Sequence, residues 1–120
     1  MKYQFAFFDG DNVGNTLEIL LLDNNVRQAQ NLSENINRAI IEIKEKLQNK
    51  GDIIIAGGDD ILVRLKNDDD LVKILEDIRQ IFANTTGLTI SCGVGKDIQT
   101  AIYQLSIAKL YGKNQIKFSK

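Results

Sequence analysis

Two acidic clusters sit where short apolar runs end, and their residue types could do chemistry. Tyr3-Gln4-Phe5-Ala6-Phe7-Phe8 runs into Asp9-Gly10-Asp11-Asn12-Val13-Gly14, and Asp52-Ile53-Ile54-Ile55-Ala56 runs into Gly57-Gly58-Asp59-Asp60. Adjacent carboxylates repel each other unless a cation lies between them, and hard divalent cations such as Mg²⁺ prefer such oxygens. The glycines give a tight turn its backbone freedom and leave no side chain to block a ligand. In the first cluster a carboxylate at a strand end precedes a glycine-containing loop that leads into a helix. Loop N–H groups and a helix N-terminus favour anionic groups such as phosphates. The plainer reading of both clusters is turn chemistry, because Asp, Asn and Gly are common turn residues.

The rest of the composition narrows the options. The chain has 120 residues, 43% of them hydrophobic, which suits a single domain spanning 1–120 with a modest core. There is no histidine, so Ser-His-Asp sites, Cys-His sites and histidine general bases are excluded. One cysteine, Cys92, cannot pair within the chain; it argues against a zinc site and for a cytoplasmic location. The net charge of −1 offers no field to draw in duplex DNA. The longest apolar run, Ile19-Leu20-Leu21-Leu22, is far too short to insert across a membrane. Chemistry must come from carboxylates, lysines, backbone N–H groups and a hard metal.

Periodicity supplies the elements that would position these groups. Alternation predicts a strand over 2–9, with Tyr3, Phe5, Phe7 and Asp9 on one face and Gln4, Ala6 and Phe8 on the other. A helix follows over about 15–22. Asn31-Leu32-Ser33-Glu34 has the form of a capping box, with Leu32, Ile36, Ile40, Ile43 and Leu47 as a helical stripe and Gly51 as the C-terminal stop. The two apolar runs around Gly57-Gly58-Asp59-Asp60 read as a β-hairpin. Asp68, Asp69 and Asp70 read as N-caps that compensate the dipole of a helix over 71–82, and Asn84-Thr85-Thr86-Gly87 as a turn. A strand over 88–94 and a helix over 98–111 follow; Ile98, Ile102, Leu105 and Ala108 form the helix's apolar side. Lys109 and Lys113 lie near its end, and a short last strand falls at 115–118.

The order βαββαβ predicts an α+β, ferredoxin-like palm: an antiparallel sheet backed by helices, with an additional C-terminal helix and short strand. In that topology the first strand lies beside the hairpin. Asp9, Asp59 and Asp60 then converge at one sheet edge, and three carboxylates there fit a two-metal phosphoryl-transfer site.

Phe8-Asp9-Gly10-Asp11-Asn12, Gly57-Gly58-Asp59-Asp60, Thr89-Ile90-Ser91-Cys92-Gly93-Val94-Gly95 and Ala108-Lys109-Leu110-Tyr111-Gly112-Lys113-Asn114 fall in the order seen in GGDEF-type nucleotide cyclases. They also resemble the palm domain of the large subunit of type III CRISPR complexes. The chain most resembles the stand-alone minimal CRISPR polymerases. The resemblance implies Asp9 and Asp59 as metal-binding catalytic carboxylates, with Asp60 joining them or orienting the attacking hydroxyl. It implies the Gly10 carbonyl as a metal ligand and the loop Gly10, Asp11, Asn12, Val13 and Gly14, with Gly58, as the phosphate-binding surround. It implies Lys109 and Lys113 as triphosphate ligands. The implied activity is synthesis of cyclic oligonucleotide second messengers from nucleoside triphosphates with Mg²⁺ or Mn²⁺, in anti-phage defence beside a cyclic-nucleotide-responsive effector.

Two departures from the diguanylate cyclases bear on the substrate. Val13, Gly14, Leu17 and Glu18 stand where those enzymes carry a Phe-Lys and an Asn-Asp pair, and Leu17 cannot hydrogen-bond a guanine edge. Gln48-Asn49-Lys50-Gly51 replaces their inhibitory Arg-x-x-Asp element. Both favour ATP as substrate. Because one palm holds one donor triphosphate, a homodimer with facing sites is expected. The competing readings are a non-catalytic nucleotide-sensing or RNA-binding palm, whose sign would be a lost carboxylate or exposed aromatic residues on the sheet, and a diguanylate cyclase.

Overall fold

The computed structural model describes residues 2–119. The elements run β1 (Tyr3–Gly10), α1 (Val13–Leu22), α2 (Val26–Leu47), β2 (Gly51–Gly57), β3 (Asp60–Lys66), α3 (Leu71–Thr86), β4 (Ile90–Gly95), α4 (Ile98–Leu110) and β5 (Ile116–Phe118). The strand order is β2-β3-β1-β4-β5. β1 pairs antiparallel with both β3 and β4, which makes it the central strand that its two apolar faces anticipate. β5 adds to β4 in parallel, so the sheet is mixed at that edge.

Strand alternation sorts the sheet's side chains between two helix layers. Ala6 and Phe8 of β1, Ile61, Val63 and Leu65 of β3, and Ile90, Cys92 and Val94 of β4 share one core with α2 and α3. The stripe Leu32, Ile36, Ile40, Ile43 and Leu47 is buried, as are Leu71, Leu75, Ile78 and Phe82. Each fully buried aliphatic or aromatic side chain here contributes about 1.5–3 kcal/mol. α4 crosses the opposite face. There Gly93 and Gly95 let it approach so closely that a Cβ at Gly93 would overlap the backbone of Ala101 and Leu105. No helix among the described residues is long and apolar enough to cross a membrane.

Several local expectations are corrected. Asn31–Glu34 is no helix start: α2 is capped six residues earlier, where the Asn25 side chain accepts from the Gln28 N–H at 3.4 Å. Ala29 extends the buried stripe toward that end. Gly51 does not stop α2. Gln48 caps it, Asn49 takes the left-handed position (φ 68°), and Gly51 opens β2 where a Cβ would strike the Arg64 backbone. The 84–87 turn is the last turn of α3, which ends at Gly87 (φ 77°). Of the acidic triplet, Asp70 is the capping position but its side chain caps nothing; Asp68 accepts the Asp70 N–H instead, at 3.0 Å. On α4, Ile98 and Ile102 are exposed, and the buried positions are Ala101 and Ala108. A helix seated on glycines has room only for small side chains.

Candidate active site

The site begins with register. β1 ends as β3 begins, and the pairing places Asp9 opposite Asp60 and Gly57 opposite Asp60 across the hairpin. A two-residue loop, Gly58-Asp59, closes β2 onto β3, and its first position is left-handed (Gly58 φ 57°), which glycine takes without strain. The Gly10 N–H donates to the Asp59 carbonyl at 3.1 Å, tying the end of β1 to the hairpin tip. A Cβ at Gly10 would come within 2.8 Å of Asp59 Oδ2 and of Val13 Cγ2, so a larger residue here displaces those side chains.

Asp9, Asp59 and Asp60 are thereby brought together, all half-buried, each offering a carboxylate oxygen within 4.8 Å of the others. Their electrostatics are those of a set short of positive charge. A hydrogen bond with Asp9, then burial, then repulsion from Asp9 and Asp59 lift Asp60 to about 7. Burial and the Asp9 charge raise Asp59 as well. The donors are all hard oxygens, so the set fits Mg²⁺ or Mn²⁺.

A cleft of about 440 Å³ opens beside these groups, lined by Asp9, Gly10, Asn12, Val13, Gly14, Asn15, Asp59, Lys109 and Lys113. Nearly all the residues expected around the phosphates therefore share one wall system; Asp60 and Gly58 lie just beyond it on the hairpin. Asn12 precedes α1 in the left-handed region (φ 60°) and gives it no side-chain cap, and among the described residues no side chain accepts from the first-turn N–H groups beside the cleft. The Asn12 Oδ1 instead accepts from Lys113 Nζ at 2.6 Å. A larger groove, about 530 Å³, lies between the end of α2 and β2. It gathers no acidic cluster, and chemistry rather than volume assigns the site.

Lys109 and Asp11 behave differently from the expectation. Lys109 Nζ donates to the carbonyls of Asp9 and Gly10, both at 3.0 Å, and to Asp11 Oδ1 at 2.7 Å, and lies 3.2 Å from Asp9 Oδ2. It braces the end of β1 from beneath the cleft while still lining it. The Gly10 carbonyl expected to ligate metal is engaged by this ammonium. Asp11 is only 2% exposed and does not line the cleft. Its carboxylate accepts from Thr89 Oγ1 and Ser91 Oγ, both at 2.7 Å, and from the Asn114 N–H at 2.9 Å, besides Lys109. Burial alone would raise Asp11, but these hydrogen bonds outweigh it and hold the carboxyl below its usual range. Asp11 is thus the buried anchor of the loop rather than a phosphate contact.

Thr89, Ser91 and Asn114 were missed as site residues. Ser91 carried a signal: it is polar in a strand whose same-face neighbours are Gly93 and Gly95. Asn114 and Lys113 both stand at positive φ (51° and 64°) directly after Gly112, a conformation the sequence does not announce.

No curated protein matches the sequence. Among solved structures, the diguanylate cyclase SiaD in complex with its activator SiaC, from Pseudomonas aeruginosa, superposes with a TM-score of 0.72 at 21% identity, over 98% of this chain and 50% of that one. The GGDEF domain of YfiN (TpbB), also from Pseudomonas aeruginosa, gives 0.73 at 16% identity, over 98% of this chain and 82% of that one. A Csm1–Csm4 cassette in complex with cA4 gives 0.71 at 18% identity, over 99% of this chain and 21% of that one. This chain spans half the length of the SiaD chain and about a fifth of the Csm1–Csm4 match. At such identities the likeness shows a shared fold: the palm of GGDEF cyclases and CRISPR polymerases. The family model of the minimal CRISPR polymerase domain matches residues 5–119, nearly the whole length, and the chain belongs to that family.

Proposed function

We propose that this palm is a metal-dependent nucleotidyltransferase that joins ATP into a cyclic dinucleotide or short cyclic oligoadenylate with release of pyrophosphate. The observation that carries this reading is the convergence of Asp9 from the end of β1 with Asp59 and Asp60 from the hairpin tip, beside a cleft walled by a helix N-terminus and two lysines. A divalent ion held by these carboxylates supplies Lewis-acid stabilisation of the charge that develops in phosphoryl transfer. The chain's own groups do the positioning. The N–H groups at the start of α1 and the Lys113 ammonium receive the β- and γ-phosphates, and Lys109 keeps the ends of the loop fixed beneath them. Asp60 joins the metal set or orients the attacking hydroxyl. Positioning and electrostatics account for most of the rate gain, since phosphoryl transfer asks little covalent work of the protein.

Adenine is the proposed base. Leu17 offers no hydrogen bond to a guanine edge, and Csm1–Csm4 cassettes, about a fifth of whose matched chain shares this fold, are seen in complex with cA4, cA3 and pppApA. Joining two nucleotides calls for a second site opposite the first, so the working unit is a homodimer. A cytoplasmic defence pathway, with a cyclic-nucleotide-responsive effector downstream, completes the proposal and rests on the family alone.

The test is incubation of the protein with Mg²⁺ or Mn²⁺ and each nucleoside triphosphate, alone and mixed, with products read by mass spectrometry. We expect a cyclic adenylate that disappears in Asp59→Ala. An active Asp59→Ala protein, or no product from any mixture, refutes the assignment; triphosphate binding without product turns the reading to a sensor.

A further inference from the structure

α3 contributes no residue to the cleft, yet one of its side chains grips the loop that does. Arg79 extends from α3 with its guanidinium only partly exposed. Its Nη2 donates to both the backbone carbonyl and the Oδ1 of Asn114, each at 2.6 Å, while Nη1 donates to Glu76 Oε2 at 2.7 Å. Its Nε is buried with no hydrogen-bond partner among the described residues. The three hydrogen bonds fix the guanidinium between its own helix and the loop after α4.

The held loop is unusual in itself. Gly112, Lys113 and Asn114 take three consecutive positive φ angles (112°, 64° and 51°). For the two non-glycine residues that conformation is strained, and it persists only where surrounding contacts over-determine it. The contacts are all present. The Asn114 N–H is shared between Asp11 Oδ2 and Ser91 Oγ, both at 2.9 Å, and the Lys113 N–H reaches the Ala108 carbonyl at 2.9 Å. Among the described residues, Arg79 is the only side chain from the core-side helices that takes part. The loop's output is the position of Lys113, whose ammonium crosses the mouth of the cleft to Asn12.

We infer that Arg79 is a positioning residue for triphosphate binding: it locks Asn114 in the left-handed conformation that aims Lys113 at the phosphates. The inference rests on the function proposed above and deepens it. Nη1 holds Glu76 while Nη2 holds Asn114, a planar spread over two nitrogens that the single nitrogen of a lysine at position 79 does not reproduce.

The test measures equilibrium binding of a non-reacting ATP analogue, α,β-methylene-ATP with Mg²⁺, by calorimetry, together with amide hydrogen exchange of the ligand-free protein. We expect Arg79→Ala to weaken binding about tenfold, the scale of losing a charge-assisted hydrogen bond. Exchange of the Asn114 amide should rise by a similar factor. Arg79→Lys should recover only part of either. The discriminating readout is the double variant: in Lys113→Ala, removing Arg79 should change affinity no further, because its route of action is gone. Equal affinity for Arg79→Ala and the unsubstituted protein overturns the inference, as does an Arg79→Ala effect of undiminished size in Lys113→Ala. Failure of the unsubstituted protein to bind the analogue overturns the proposed function and this inference with it, whereas binding that ignores Arg79 overturns the inference alone.

Discussion

Replacing Asp11 by Asn isolates the buried anchor of the site without changing its size. The carboxylate receives four donors: Thr89 Oγ1, Ser91 Oγ, Lys109 Nζ and the Asn114 N–H. An amide has one acceptor oxygen and one donor group, so half of that array would meet an N–H₂. Breaking a buried ion pair by removing one partner costs about 3–5 kcal/mol. Lys109 keeps the Asp9 carboxylate at 3.2 Å and is itself 23% exposed, which puts the expectation at the lower end, about 3 kcal/mol. For a chain of this size that is a fall of roughly 10 °C in Tm. The assay is urea unfolding in chelator at pH 7, with Asp69→Asn as an exposed control expected within about 0.5 kcal/mol. The Asp11 carboxyl lies below its usual range, so its contribution is present above pH 4 and lost as pH falls through the folded-state value. Asp11→Asn should therefore also flatten the acid limb of the stability profile. A loss below about 0.5 kcal/mol, or an unchanged acid limb, refutes the reasoning that this carboxylate anchors the loop.

Two further outcomes follow from the same geometry. Asp60 is raised to about 7, so between pH 4 and 7 the folded protein keeps a proton that the unfolded chain has released, and metal-free stability should fall as pH rises through that window. Asp60 is half-buried and solvent still screens it, which reduces the change to about 1 kcal/mol; chelator melts at pH 5 and pH 8 check it, and greater stability at pH 8 refutes it. Gly93→Ala should push α4 off the sheet, since its Cβ would overlap the helix backbone, at a cost of about 3 kcal/mol, whereas Gly14→Ala meets nothing within 4 Å and should leave the Tm within a degree or two.

The sheet and the acidic cluster were legible because they depend on short-range patterns. Alternation in β1 and the Gly-Gly-Asp-Asp turn each identify a strand end, and topology alone then brings Asp9 beside Asp60. Helix ends were legible only where a local signal was decisive. Asn31–Glu34 matched a capping pattern inside α2, because the true start at Asn25 is preceded by two more polar residues that offered no contrast. The buried side of α4 was misread for a different reason: the face that matters is the one poor in bulk, set by glycines on another strand. The roles of Asp11 and Lys109 lay beyond the sequence altogether. Asp11's partners are 78 to 103 positions away, and no spacing rule connects Thr89, Ser91 and Asn114 to it. Asp11 was legible as part of a motif and illegible as a buried anchor.

The Lys109 ammonium has a consequence for what the fold depends on. Three carboxylates crowded at the end of the central strand and the neighbouring hairpin tip repel one another, which costs the folded chain stability unless a cation offsets it. Here a covalently attached cation comes with α4, pairs with Asp9 and Asp11, and provides part of the counter-charge from within, while Asp59 and Asp60 stay raised. The fold and the proposed divalent ion are thereby separable: the chain's own cation is in place at the end of β1 whether or not an ion is bound.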